Sequence, residues 1–207
     1  MAVLIPRVKM MVLAIETERL ALRNYCMEDW VQVHAYARDP EVVRFMDWGP
    51  NSERETQAFI AQAMATEGQS PRKEYELAVT LKDTGALIGG VTLKVTDSTP
   101  QDAEMGYTLH RLAWGQGLGT EIAREMVKFG FLQMGARRVW AKCRPENVGS
   151  FRVLKKAGMQ FEEYVLNDKF VRGRLVDSFL CGINREDWLR TRKGDALAAS
   201  GGRGTDC

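Results

Sequence analysis

The spacing of hydrophobic and polar positions changes several times along this chain, and each change marks an element. "RLALRNY" (19–25) alternates like a half-buried strand, whereas "EDWVQVHAYAR" (28–38) sets Trp30, Val33, Tyr36 and Ala37 at helical spacing. In the segment at 51–68, Ser52 and Glu55 make a capping box that starts a helix. Phe59, Ile60, Ala63 and Met64 supply its apolar stripe. The period then drops to two. "EYELAVTLK" (74–82) and "ALIGGVTLKVT" (86–96) flank a "DTG" turn, and "DAEMGYTLH" (102–110) follows a turn holding Pro100, which predicts an antiparallel meander. Residues 118–134 read as a helix ending before Gly135, and "RRVWAKCR" (137–144) as a strand stopped by Pro145. A short helix over 147–158, with Gly158 past its end, precedes two long strands at 160–171 and 174–183. No internal repeat is visible.

Composition narrows the class. A chain of 207 residues, 45% hydrophobic, buries one good core. We read a loose arm over 1–13, a single domain over 14–192 and a disordered tail over 193–207. The net charge of +2 provides no field for nucleic acid or an anionic membrane. Cys26, Cys143, Cys181 and Cys207 form no metal or disulfide spacing, so no metal is expected. They read as reduced thiols of a cytoplasmic protein. The apolar opening is broken by Pro6, Arg7 and Lys9 before it reaches the length of a signal peptide or membrane span.

"WGQGLGT" (114–120) stands out, because three alternate glycines join a strand to a helix N-terminus. Exposed amides and the positive end of a helix dipole converge there, which suits a phosphate. A tight turn that binds nothing needs only one glycine. The P-loop pattern fails because no lysine follows until Lys128. The dinucleotide pattern fails at Thr120 and on the antiparallel strand in front.

"AEMGYTLHRLAWGQGLGTEIAREMVKFGF" with "RRVWAKCRPENVGSFRVLKKAGM" resembles the GNAT N-acetyltransferases, in particular the Rim-type branch of ribosomal-protein N-terminal acetyltransferases. The likeness runs over about residues 16–190. It implies an α/β fold: a mixed, mostly antiparallel sheet of about seven strands, helices on both faces and a splayed central strand pair. It also implies acetyl-coenzyme A as donor. Trp114, Gln116, Gly117, Leu118, Gly119 and Thr120 would hold the pyrophosphate, and Leu109 ends the strand beside the pantetheine arm. Asn147 matches an asparagine near the pantetheine and also suits an ordinary helix cap. Lys156 matches a basic position near the adenosine phosphate and equally suits a solvated helix face.

Direct attack of an amine on a thioester needs a proton acceptor and an oxyanion partner, but no enzyme nucleophile. Glu104, in the strand leading to the loop, is the candidate base acting through water; a salt-bridged strand glutamate is the plain alternative. The oxyanion partner would be a backbone N–H near Tyr107 to Leu109. Many members of the family carry an acid tyrosine where this chain has Leu154. Ser150, four residues earlier on the same helical face, is the candidate acid, with a capping serine and water as the alternative. Cys143 reads as a small core residue, and His34 and His110 as structural or surface residues. Asp47, Trp48 and Asp168 are either acceptor-cleft or loop-surface residues. The expected acceptor is a primary amine, on a protein N-terminus or a small molecule, and the protein a monomer or homodimer. A catalytically weak module that binds or senses acyl-coenzyme A is the competing class.

Overall fold

The computed structural model describes residues 13–96 and 99–192. The expected arm and tail lie outside that range apart from Leu13. The strands are β1 (Ala14–Glu16), β2 (Leu20–Asn24), β3 (Glu74–Leu81), β4 (Leu87–Thr96), β5 (Thr99–Leu109), β6 (Arg138–Cys143), β7 (Gln160–Val171) and β8 (Arg174–Asn184). The helices are α1 (Trp30–Ala37), α2 (Pro40–Val43), α3 (Glu53–Glu67), α4 (Leu118–Leu132) and α5 (Val148–Lys156), with 3-10 turns at Met27–Asp29 and Arg111–Ala113. The strands form one sheet of eight, in the order β1-β2-β3-β4-β5-β6-β8-β7. The expected number was about seven; three-residue β1, too short to show alternation, is the addition. No described helix is long and apolar enough to cross a membrane.

Local chemistry explains the boundaries. Ser52 Oγ accepts the Glu55 amide at 3.3 Å and Glu55 returns a carboxylate to the Ser52 amide at 2.7 Å, so α3 starts at its capping box. Its buried stripe is Thr56, Ile60, Ala63 and Thr66. Met64 is instead exposed, and Thr56 is tolerated inside because its hydroxyl bonds the Ser52 carbonyl at 3.1 Å and His34 Nδ1 at 3.1 Å.

Alternation along the strands builds two cores. Leu77 and Val79 of β3 pack with α4 residues Ile122, Met126 and Phe129. Ala78, between them, faces Tyr25, Val33, Tyr36 and Ile60 from the α1 and α3 side. Helices therefore cover both faces.

All neighbouring strands are antiparallel except β5 and β6. That parallel pair holds register only from Asp102↔Arg138 to Glu104↔Trp140. Beyond Glu104 the strands part, with β6 continuing against β8 as far as Cys143. This is the splayed central pair expected from the resemblance. It leaves one edge of β5 open in the middle of the sheet.

Candidate active site

The open edge presents a defined set of amides. His110 N–H donates to Ile88 at 2.7 Å, so even-numbered residues of β5 bond to β4 and odd-numbered ones turn the other way. Tyr107 and Leu109, beyond the last β5–β6 bridge at Glu104, thus aim their backbone groups into the gap. The Leu109 carbonyl is taken by the Trp114 indole N–H at 2.9 Å, which pins the glycine loop to the end of β5.

The three glycines do two jobs. Gly115 (φ 75) and Gly117 (φ 79) adopt left-handed conformations that a side chain disfavours. Gly119 permits close packing: a Cβ there would lie 3.3 Å from Val153 and 3.4 Å from Tyr107. The helix start has no side-chain cap at Gly117. The Thr120 amide turns inward to the Gly117 carbonyl at 3.1 Å. Among the described residues the amides of Gln116, Gly117, Leu118 and Gly119 donate to no other group. Arg19 braces the loop from behind, donating to the Gln116 carbonyl at 3.0 Å and pairing with Glu121 at 2.7 Å.

Two cavities of about 530 Å³ each meet in the gap. The donor-side cavity is lined by Leu109, Trp114, Gly117, Leu118, Gly119, Thr120, Asn147 and Lys156, all predicted from sequence. Gln116 does not line it, because its side chain turns away to the Leu112 carbonyl at 2.7 Å. The second cavity lies on the α1 and α3 side and holds Glu104, Asp47 and Trp48. Asp168 is absent from its lining, since its carboxylate is engaged by Lys142 and drawn below the usual range despite burial. Phe45, Met46, Tyr107, Thr108, Asn147 and Ser150 line both cavities, so they mark where two substrates can touch.

At that junction Asn147 caps α5, its Oδ1 accepting the Ser150 amide at 3.0 Å. Ser150 Oγ accepts from the Tyr107 phenol at 3.4 Å. Burial pushes that phenol up to about 12, so it holds its proton throughout the neutral range. Tyr107 is the residue that sequence reading missed as a side chain; its place in "AEMGY", on the strand facing α5, was the available signal. Leu154, at the position of the expected tyrosine, is 1% exposed and belongs to the main core. Burial lifts the Cys143 thiol to about 12, which leaves it unreactive. Glu104 pairs with Lys94 at 3.5 Å while lining the second cavity. Among the described residues no group of His, Cys, Asp and Glu could hold a metal ion.

A sheet split at its centre, with an amide-rich helix start on one side and a second pocket on the other, defines a two-substrate transferase with a phosphate-bearing donor. A family model described as an acetyltransferase (GNAT) domain matches residues 19–160, and the chain belongs to that family. The chain is similar to the uncharacterized N-acetyltransferase p20 of Bacillus licheniformis, 29% identical over 175 residues that cover 83% of this chain and 96% of the relative. A GNAT-family acetyltransferase from Bacillus anthracis has a similar structure at TM-score 0.74 and 27% identity, covering 84% of this chain and 99% of that one. RimL, a ribosomal-protein α-N-acetyltransferase solved with coenzyme A, shares the fold at TM-score 0.73 and 16% identity, covering 83% and 98%. The protein is an N-acetyltransferase with acetyl-coenzyme A as donor. The free amides at 116–119 and the open β5 edge fit the pyrophosphate and pantetheine of that donor.

Proposed function

We propose that the protein moves an acetyl group directly from acetyl-coenzyme A to a primary amine, on a small molecule or a protein N-terminus, in the cytoplasm. The observation that carries this reading is the meeting of the two cavities at Tyr107 and Ser150. The donor supplies an activated carbonyl and a thiolate leaving group. The Tyr107 and Leu109 amides supply N–H donors for the carbonyl oxygen as it gains charge. Glu104, on the acceptor side and paired with Lys94, takes the proton of the attacking amine through water. Ser150 accepts a hydrogen bond from Tyr107, which turns the serine's own proton toward the departing sulfur. Leu109, Trp114, Gly117, Leu118, Gly119, Thr120, Asn147 and Lys156 hold the donor. Gln116 contributes only its amide.

A mass-spectrometric screen of peptides and small amines incubated with acetyl-coenzyme A tests the reading. Acetylated amine with matching thiol release is the expected result. Donor binding without any acetylated product would assign the chain to the sensing class instead.

A further inference from the structure

The transfer chemistry leaves the back wall of the acceptor cavity unused. There Glu76 of β3, Thr92 of β4 and Gly106 of β5 stand in one register row. The Glu76 carboxylate accepts the Thr92 hydroxyl, which occupies one oxygen. The cation that acts on it, Lys94, is already paired with Glu104 at 3.5 Å. Tyr25 reaches the same wall from the other core and is 4% exposed. Its hydroxyl faces that of Tyr36 but makes no hydrogen bond of acceptable geometry. Gly90 makes the space for it, since a Cβ there would stand 2.3 Å from the Tyr25 oxygen. Gly106 keeps the floor open, with nothing within 4 Å of where its Cβ would be.

A half-buried carboxylate with a spare oxygen and a buried phenol without a partner are both costly unless a donor arrives. An ammonium group answers both, because it carries three N–H donors and a positive charge. We propose that Glu76 and Tyr25 bind a second ammonium group of the acceptor, so that the protein selects diamines over monoamines. The inference rests on the amine-acetylation reading above. Two strand spacings separate Glu76 from Gly106 at the edge of the gap, roughly 10 Å between backbones. The Glu76 side chain closes part of that distance, which suits a spacer of about four to six carbons between the two nitrogens.

The test compares 1,5-diaminopentane with pentylamine as acceptors at pH 8, for the wild type, Glu76→Gln and Tyr25→Phe. The wild type should favour the diamine in kcat/KM by about tenfold or more, the worth of a charge-assisted hydrogen bond. Glu76→Gln should bring the ratio close to one, and Tyr25→Phe should reduce it by a smaller factor. Stabilisation by acetyl-coenzyme A reports that each variant is folded. A second readout needs no turnover: 1,5-diaminopentane should raise the melting temperature of the wild type with coenzyme A present, and not that of Glu76→Gln. A wild-type ratio near one, or a ratio that Glu76→Gln preserves, overturns the inference while acetylated pentylamine leaves the amine-transfer reading intact. Glu76-dependent stabilisation without any acetylated amine would uphold the diamine site and overturn the transfer reading. Absence of both overturns both.

Discussion

Ser150 and Leu154 sit one turn apart on α5 with opposite duties. Leu154 is core, so the tyrosine that many relatives use cannot be restored there without overpacking. The proton for the leaving thiolate is better sought at Ser150, supported by Tyr107 across 3.4 Å. Ser150→Ala should lower kcat by about 10²-fold with little change in the KM for acetyl-coenzyme A, in keeping with general acid catalysis. Tyr107→Phe should have a smaller effect of the same kind. A rise in donor KM with kcat unchanged would make Ser150 a donor ligand and withdraw its acid role. Glu76 carries a separate prediction. Burial, opposed by the Thr92 hydrogen bond and Lys94 and reinforced by Glu74, raises its carboxyl from 4.5 to about 7. Between those values the folded chain keeps a proton that the unfolded chain has lost, so stability falls as pH rises through that window and levels off above it. Glu76→Gln should therefore be more stable than the wild type at pH 8 by about 1–3 kcal/mol, and nearly equal to it at pH 5. Denaturant unfolding at the two pH values checks this. An equal gain at both would assign the effect to packing.

At the scale of elements, the glycine loop and the parted strands do the work together. A loop that offered amides to a sheet with no gap would have nothing to hand on. Gly117→Glu puts a side chain into a left-handed position and a negative charge at the proposed pyrophosphate site. It should abolish thermal stabilisation by acetyl-coenzyme A, which differential scanning fluorimetry measures; unchanged stabilisation in a folded variant would move the donor site elsewhere. Much of this level was legible in the chain. The capping box at Ser52 and Glu55, the period-two runs of β3 to β5 and the glycines after β5 are local signals, and local signals survive in a string of letters. Short β1 and four-residue α2 carry too few residues to show a period. Glu76 was illegible for another reason. It reads as one more polar position on an alternating strand, and only the register of three strands sets it beside Thr92 and Gly106 and under Tyr25. Tyr107 meets Ser150 across 43 residues by the same kind of long-range placement.

Across the whole molecule the cavity proposed for the acceptor is walled by two segments far apart in sequence. One is the loop after α2, with Asp47, Trp48 and Asn51 in the wall, and the other is the hairpin of β7 and β8, with Lys169 and Ser178. Arg172 holds them together, donating to the carbonyls of Trp48 and Gly49, both at 2.8 Å, and of Val43 at 3.2 Å. The hairpin turn is shaped for this contact, with Arg172 at φ 48 and Gly173 at φ 82. Lys169 adds an ion pair to Asp47 at 2.9 Å, and the solvent exposure of both groups makes it the weaker tie. Neither tie touches the glycine loop, which is braced by Arg19 on the donor side. Acceptor affinity and donor affinity should thus be separable by mutation. Arg172→Ala removes three charge-assisted hydrogen bonds to backbone carbonyls and makes no change in the glycine loop or α5. It should raise the acceptor KM by about tenfold, with the acetyl-coenzyme A KM nearly unchanged, because a loosened wall weakens orientation of the amine before it weakens anything else. Lys169→Ala should follow the same direction by a factor of about two, given the modest worth of exposed ion pairs. Steady-state kinetics with each substrate varied in turn decides the matter. Equal losses in both KM values would mean that the hairpin supports the whole central gap, and the division of labour between the two cavities would have to be given up.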